Sequence, residues 1–223
     1  MITCQQVRFS YPSETFQLEI DQFSVADGET VALIGPSGCG KTTFINLISG
    51  ILSPSSGEIQ VEGQSLSQLP LAGRQRFRIR KIGLVPQNFE LLDYLTIREN
   101  ILVPFRVSSG LGISAEVVSR CDELAGKVGI ADHLGKYPAE LSQGERQRAA
   151  LCRGLVTSPR LILADEPTGN LDPENQDRIV SLLLEEARRI GATVLMITHD
   201  PVLLPRFDRV VDLFALRQEG ITV

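Results

Sequence analysis

The 223-residue chain carries a net charge of -5, with 43% hydrophobic and 22% charged residues, ordinary proportions for one large soluble globular domain. Its acidity, with a pI of about 5.2, argues against general nucleic-acid binding, which favours basic domains. No apolar run approaches the roughly 20 residues that cross a bilayer. Met1-Ile2-Thr3-Cys4-Gln5 lacks the basic head and apolar core of a signal peptide. Residues 7–11, 16–20 and 58–61 alternate in character and are predicted as short antiparallel strands, punctuated by Pro12, Asp27-Gly28 and Gly57. The apolar run 30–34 is predicted as a buried strand, and 42–48 continues with helical periodicity. Arg74, Arg76, Arg78, Arg80 and Lys81 read as a solvated face, with a strand after them at 82–86. From 91 to about 139 the pattern turns helical, with Thr96 and Ser114 as caps. Runs 161–164 and 193–197 are apolar enough for central parallel strands, and 175–190 has helical spacing between them. That is a βαβ unit, whose right-handed crossover puts both strands in one sheet with 30–34. The chain is thus expected to be α/β. Cys4, Cys39, Cys121 and Cys152 are scattered without a C-x-x-C pair, which points to reduced thiols in a cytosolic protein.

The chemistry concentrates between the first buried strand and its helix. Gly35-Pro36-Ser37-Gly38-Cys39-Gly40-Lys41-Thr42-Thr43 fits G-x-x-x-x-G-K-[ST], a loop whose amides wrap nucleotide phosphates at a helix N-terminus. Lys41 is expected to reach the β/γ-phosphates and the Thr42 hydroxyl to bind Mg²⁺. The run 161–164 ends in Asp165 and Glu166, which alternate in direction along a strand. Asp165 suits Mg²⁺, opposite Thr42, whereas Glu166 suits a base that orients and deprotonates an attacking water. Leu141-Ser142-Gln143-Gly144-Glu145 opens a further helix. Locally this is a capping box; it is equally a second anion-binding helix start, with the Ser142 hydroxyl and Gly144 amide free for a phosphate.

Taken in order, these motifs resemble the ATP-binding-cassette (ABC) transporter ATPases over nearly the whole chain. The resemblance is strongest to the lipoprotein-release, macrolide-export and cell-division group, through the 164–172 and 87–92 runs. It implies a P-loop NTPase with a RecA-like parallel core, an N-terminal antiparallel β layer and a helical insert. One domain spans 1–223, with its core at 1–87 and 141–223 and a helical subdomain at about 88–140. By the same resemblance, 141–145 is the signature motif that completes the ATP site of the opposite subunit in a head-to-tail homodimer. Tyr11 would stack on adenine, Gln87 would touch Mg²⁺ and sense the transport partner, Asp172 would cross the dimer interface, and His199 would contact the γ-phosphate. Gln143 departs from the usual glycine of the signature. The resemblance implies ATP and Mg²⁺ as ligands, no nucleic-acid partner, and separate integral membrane permease subunits that hold the chain on the inner face of the cell membrane. Export or extraction is the expected direction; an importer ATPase, or an ATP-switched regulatory scaffold that moves no substrate, stays open.

Overall fold

The computed structural model describes residues 1–12, 16–108, 110–169 and 173–218. In chain order the elements are β1 (Ile2–Ser10), β2 (Gln17–Val25), β3 (Thr30–Ile34), α1 (Lys41–Ile48), β4 (Ser56–Val61), β5 (Gln64–Ser65), α2 (Leu71–Lys81) and β6 (Ile82–Val85). There follow α3 (Ile97–Ile101), α4 (Val103–Val107), α5 (Ala115–Lys127), α6 (Gln143–Leu155), β7 (Leu161–Asp165), α7 (Pro173–Ile190), β8 (Thr193–Ile197), β9 (Arg209–Asp212) and α8 (Leu213–Gln218).

Two sheets result. An antiparallel sheet runs β2-β1-β4-β5, and a parallel sheet runs β6-β7-β8-β3-β9. In β1 the inward residues are Ile2 and Cys4 and then Val7 and Phe9, so the inward side switches from even to odd positions. A bulge causes the switch: Gln6 lies at φ +48°, and the pairing of β1 with β4 slips between Gln5 and Arg8. The strand therefore begins five residues earlier than its regular alternation predicts. Across from it, Gly57 is irreplaceable, because a Cβ there would stand 2.1 Å from the Gln6 carbonyl oxygen.

The parallel sheet is buried on both faces, as strands β7 and β8 show along their full lengths. Val31, Leu33, Leu163 and Ile197 face one core with α1 and the antiparallel sheet. Ala32, Ile162, Ala164 and Met196 face a second core with residues of α3, α5, α6 and α7. Phe44 of α1 is fully buried, worth about 1.5–3 kcal/mol over an exposed phenyl. Register sets the sheet's carboxyl edge: Leu33 pairs with Ile197, Ile197 with Asp165, and Ala164 with Val85.

The helical stretch 91–139 is broken into α3, α4, α5 and two 3-10 turns, Ala131–His133 and Pro138–Glu140. The basic run expected as a solvated face is the helix α2, none of whose residues is fully buried. All four cysteines are buried. Burial pushes the thiol of Cys4 up to about 12 and that of Cys121 up to about 11, and raises that of Cys152 as well.

Glu186 ties α7 to α5 from a nearly sealed position. Its side chain is 4% exposed and meets Arg120 at 2.8 Å, Lys127 at 2.5 Å and Arg189 at 3.0 Å. Burial alone would raise its carboxyl, but hydrogen bonds from Lys127, Arg120 and Arg189 outweigh it and bring it down to about 2. A depressed carboxyl stabilises the fold above its unfolded value of about 4.3, and that contribution disappears as pH falls toward 2. Glu186→Gln is therefore expected to cost about 1–3 kcal/mol near neutral pH and to flatten the decline in stability below pH 4.5. Urea unfolding of both proteins across that range measures it; parallel pH profiles would contradict it.

Candidate phosphate-binding and hydrolysis site

A pocket of about 340 Å³ opens at the carboxyl edge of the parallel sheet, lined by the loop between β3 and α1, the end of β7, and Tyr11 and Phe16. The start of α1 is built for an anion. Its N-cap is Gly40, with no side-chain cap and no acidic residue in the first turn, whereas α3, α5 and α6 are capped by Thr96, Ser114 and Ser142. The first-turn amides of α1 are thus left for a ligand. Gly40 lies at φ +104°, and a Cβ on it would come within 2.7 Å of Phe16 Cζ. A Cβ on Gly35, at φ +146°, would stand 2.9 Å from Cys39 Sγ. Cys39 is buried, 5% exposed, and does not line the pocket.

Lys41 Nζ donates to the carbonyls of Gly35 at 2.8 Å and Pro36 at 3.0 Å, which holds the ammonium inside the loop. Ser37, Gly38, Thr42 and Thr43 complete the lining on this side. The Thr42 hydroxyl donates to Asp165 Oδ2 at 2.7 Å. Burial raises the Asp165 carboxyl, and the neighbouring Glu166 adds to the rise, while the Thr42 hydrogen bond and the Lys41 charge oppose it. Hydroxyl and carboxylate oxygens side by side at a phosphate pocket are the hard donor set that Mg²⁺ takes alongside substrate oxygens and water. The residues present fit that ion.

Glu166 does not continue the strand as simple alternation predicts. It turns at φ +46°, while its amide still donates to the Ile197 carbonyl at 3.1 Å. The turn throws its carboxylate toward the pocket. Gln87 Nε2 donates to Glu166 Oε2 at 3.3 Å, and His199 Nδ1 stands 3.4 Å from Oε1. The His199 side chain is 71% exposed, outside the pocket lining. Tyr11 stacks edge-on against Phe9, with ring centroids 4.9 Å apart, and its hydroxyl lies 3.2 Å from Thr43 Oγ1. Phe16, read from sequence only as part of a strand, sits over the loop beside it.

Ser142, Gly144 and Glu145 do not reach this pocket. The expected free hydroxyl on Ser142 is corrected: it donates to Glu145 Oε2 at 2.7 Å and accepts from the Glu145 amide at 3.4 Å, a closed capping box. Those bonds hold the Glu145 carboxyl below its usual range, and His133 Nδ1 lies 3.1 Å from its other oxygen. Asp172 lies outside the described residues. Sequence also missed Gln147 and Arg153 of α6, whose side chains grip backbone carbonyls beside the site: Gln147 that of Pro167, and Arg153 those of Phe89 and Glu90. No motif marks such contacts, because any residue supplies a carbonyl.

Comparison with known proteins fits this geometry. A family model described as ABC transporter matches residues 18–169, and a shorter match to an AAA domain covers 135–204. Two proteins from Mycobacterium tuberculosis strains CDC 1551 / Oshkosh and ATCC 25618 / H37Rv, described as uncharacterized ABC transporter ATP-binding proteins, are each 44% identical over 191 residues, 86% of this chain and 76% of theirs. Among solved structures, the ATP-binding cassette MJ0796, dimeric and bound to ADP and Pi after hydrolysis, superposes with a TM-score of 0.85 at 29% identity. That match covers 95% of this chain and 94% of the other. A second dimeric structure of MJ0796, described as a bacterial ABC transporter cassette, gives a TM-score of 0.87 at 30% identity with the same coverage. No helix among the described residues is long and apolar enough to cross a membrane. The chain belongs to the ABC transporters, as an ATP-binding and ATP-hydrolysing subunit.

Proposed function

We propose that hydrolysis here is carried by Glu166 acting on water at the γ-phosphate of ATP held by the 35–43 loop. The single observation behind this reading is the pair of contacts on its carboxylate, Gln87 on one oxygen and His199 near the other. A base held on one oxygen by Gln87, with an imidazole beside the other, loses less freedom when it meets water, which is how positioned carboxylates work. The loop amides and Lys41 bind the phosphates and spread the charge that develops on them. Thr42 and Asp165 would hold Mg²⁺, which supplies further charge neutralisation at the β- and γ-oxygens when bound. Tyr11, beside Phe16 at the pocket mouth, offers a ring face for adenine.

Ser142 and Gly144 have no role in this chain's own pocket, so we assign them to the ATP of a second copy in a head-to-tail homodimer. There the Ser142 hydroxyl must exchange its Glu145 partner for a phosphate oxygen. Asp172 and the partner-facing side of His199 belong to the same interface. The subunit then drives separate integral membrane subunits, in export or extraction. Contact with them runs through 87–105, where Val103 and Pro104 line a mostly apolar groove of about 210 Å³ that Pro86, Val107, Glu90 and Arg153 also border. One domain is assigned to the chain, a helical subdomain of about 88–140 being inserted into a core of 1–87 and 141–223.

Glu166→Gln is expected to leave ATP affinity intact and lower kcat by roughly 10²-fold or more, with an ATP-bound dimer accumulating on size exclusion. Undiminished turnover in that variant would remove Glu166 from its role. Lys41→Ala removes a charged donor instead, so ATP affinity itself should fall about 10- to 100-fold. Equilibrium binding of ATP with magnesium measures this, and unchanged affinity would mean the loop is not the phosphate site.

A further inference from the structure

Helix α6 touches the backbone behind both partners of the water-activating pair. Arg153 Nη1 donates to the Glu90 carbonyl and Nη2 to the Phe89 carbonyl, each at 2.6 Å. These carbonyls belong to the loop that begins at Gln87, and Glu90 stands at φ +50°, a conformation that a non-glycine residue keeps only when its surroundings enforce it. Six residues earlier on the same helix, Gln147 is 2% exposed and its amide donates to the Pro167 carbonyl. Pro167 directly follows Glu166, itself held at φ +46°.

The helix is also locked to the sheet. A Cβ on Gly83 of β6 would fall 2.1 Å from the Gly154 carbonyl oxygen, and one on Gly154 would fall 2.8 Å from Val85 Cγ2. Backbone therefore meets backbone between α6 and β6 at Gly83, four residues before Gln87. Neither Gln147 nor Arg153 lines the pocket, so neither can touch ATP in this arrangement.

We propose that Arg153 and Gln147 are positioning residues for hydrolysis: α6 acts as a template that sets the Gln87 loop and the Glu166 turn at a fixed separation. The proposal rests on the roles assigned above to Gln87 and Glu166. Their contact, 3.3 Å from Gln87 Nε2 to Glu166 Oε2, spans two loops with no direct covalent tie. The two side chains of one rigid helix fix that span. Releasing either loop would let the carboxylate drift, and drift of about 1 Å costs on the order of 100-fold in a positioned reaction.

The test uses the full chain with Arg153→Gln, Arg153→Lys and Gln147→Leu. ATP affinity, melting temperature and kcat are measured for each, with Glu166→Gln in parallel. Positioning predicts ATP affinity within about twofold of the parent and kcat lowered roughly 10- to 100-fold. Arg153→Lys should recover part of the loss, since an ammonium still donates to one carbonyl. In a Gln87→Ala background, Arg153→Gln should add less than about twofold, because both changes release the same loop. Parent-like kcat in Arg153→Gln or Gln147→Leu overturns the proposal, as does a fully additive loss in the Gln87→Ala background. Joint loss of affinity and turnover, or failure of these variants to fold, also overturns it by assigning the residues to fold maintenance. Undiminished turnover in Glu166→Gln means that the base assignment has failed. An inactive Glu166→Gln beside a fully active Arg153→Gln sinks the positioning claim alone.

Discussion

Parallel pairing of β3, β8 and β7 in one register is the constraint on which the site depends. Leu33, Ile197 and Asp165 form one row across the sheet, so the chain leaves all three strands at the same edge. The phosphate loop, the Glu166 turn and the His199 segment are therefore neighbours before any side chain is considered. In open α/β sheets ligands gather outside these carboxyl ends. The hydrogen bonds of the sheet bring together, within one pocket edge, residues that lie far apart in sequence. A register slip of one residue would reverse every side chain on a strand and place Asp165 against the wrong core.

The loops that leave this edge are held in backbone conformations that ordinary residues avoid. Gly35 and Gly40 take positive φ at the phosphate loop, and Glu90 and Glu166 do so with side chains. Such conformations persist where the surroundings determine them. At Gly40 the neighbour is Phe16; at Glu90 it is Arg153 of α6; at Glu166 the amide is held by the Ile197 carbonyl of β8, with Gln147 of α6 on the next carbonyl. Buried apolar layers on both faces of the sheet make that scaffold stiff. Glu166 and the phosphate-loop amides are thus carried on short turns, while Lys41 and Thr42 open α1 and Asp165 ends β7.

The sequence exposed the site more fully than the scaffold around it. The 35–43 run, flanked by an apolar strand and a periodic helix, needs only local spacing to be recognised, and Thr42 and Asp165 do meet at 2.7 Å. The runs 161–164 and 193–197 were legible because strands buried on both faces are almost entirely apolar. Other elements lack that signal. Helix α2 buries no residue fully, so no apolar stripe marks it, and its arginines at every second position imitate a solvated edge. Strand β9 is four residues long, mostly exposed, and precedes a short helix. In β1 the bulge at Gln6 reverses the alternation and hides residues 2–5. Ser142 shows a different limit: the same S-x-x-E spacing encodes a capping box and an anion site, and in the single chain the capping box takes the hydroxyl.

The two hydrophobic cores on either side of the parallel sheet each contain a pair of thiols: Cys4 and Cys39 in one, Cys121 and Cys152 in the other. Thiols this deeply enclosed are inert to alkylating reagents while their surroundings stay closed. Modification of each pair can then proceed only as fast as its own layer opens. Nature has in effect left the molecule with two built-in stopwatches, one per layer, and peptide mapping after brief alkylation would read which half of the fold breathes first.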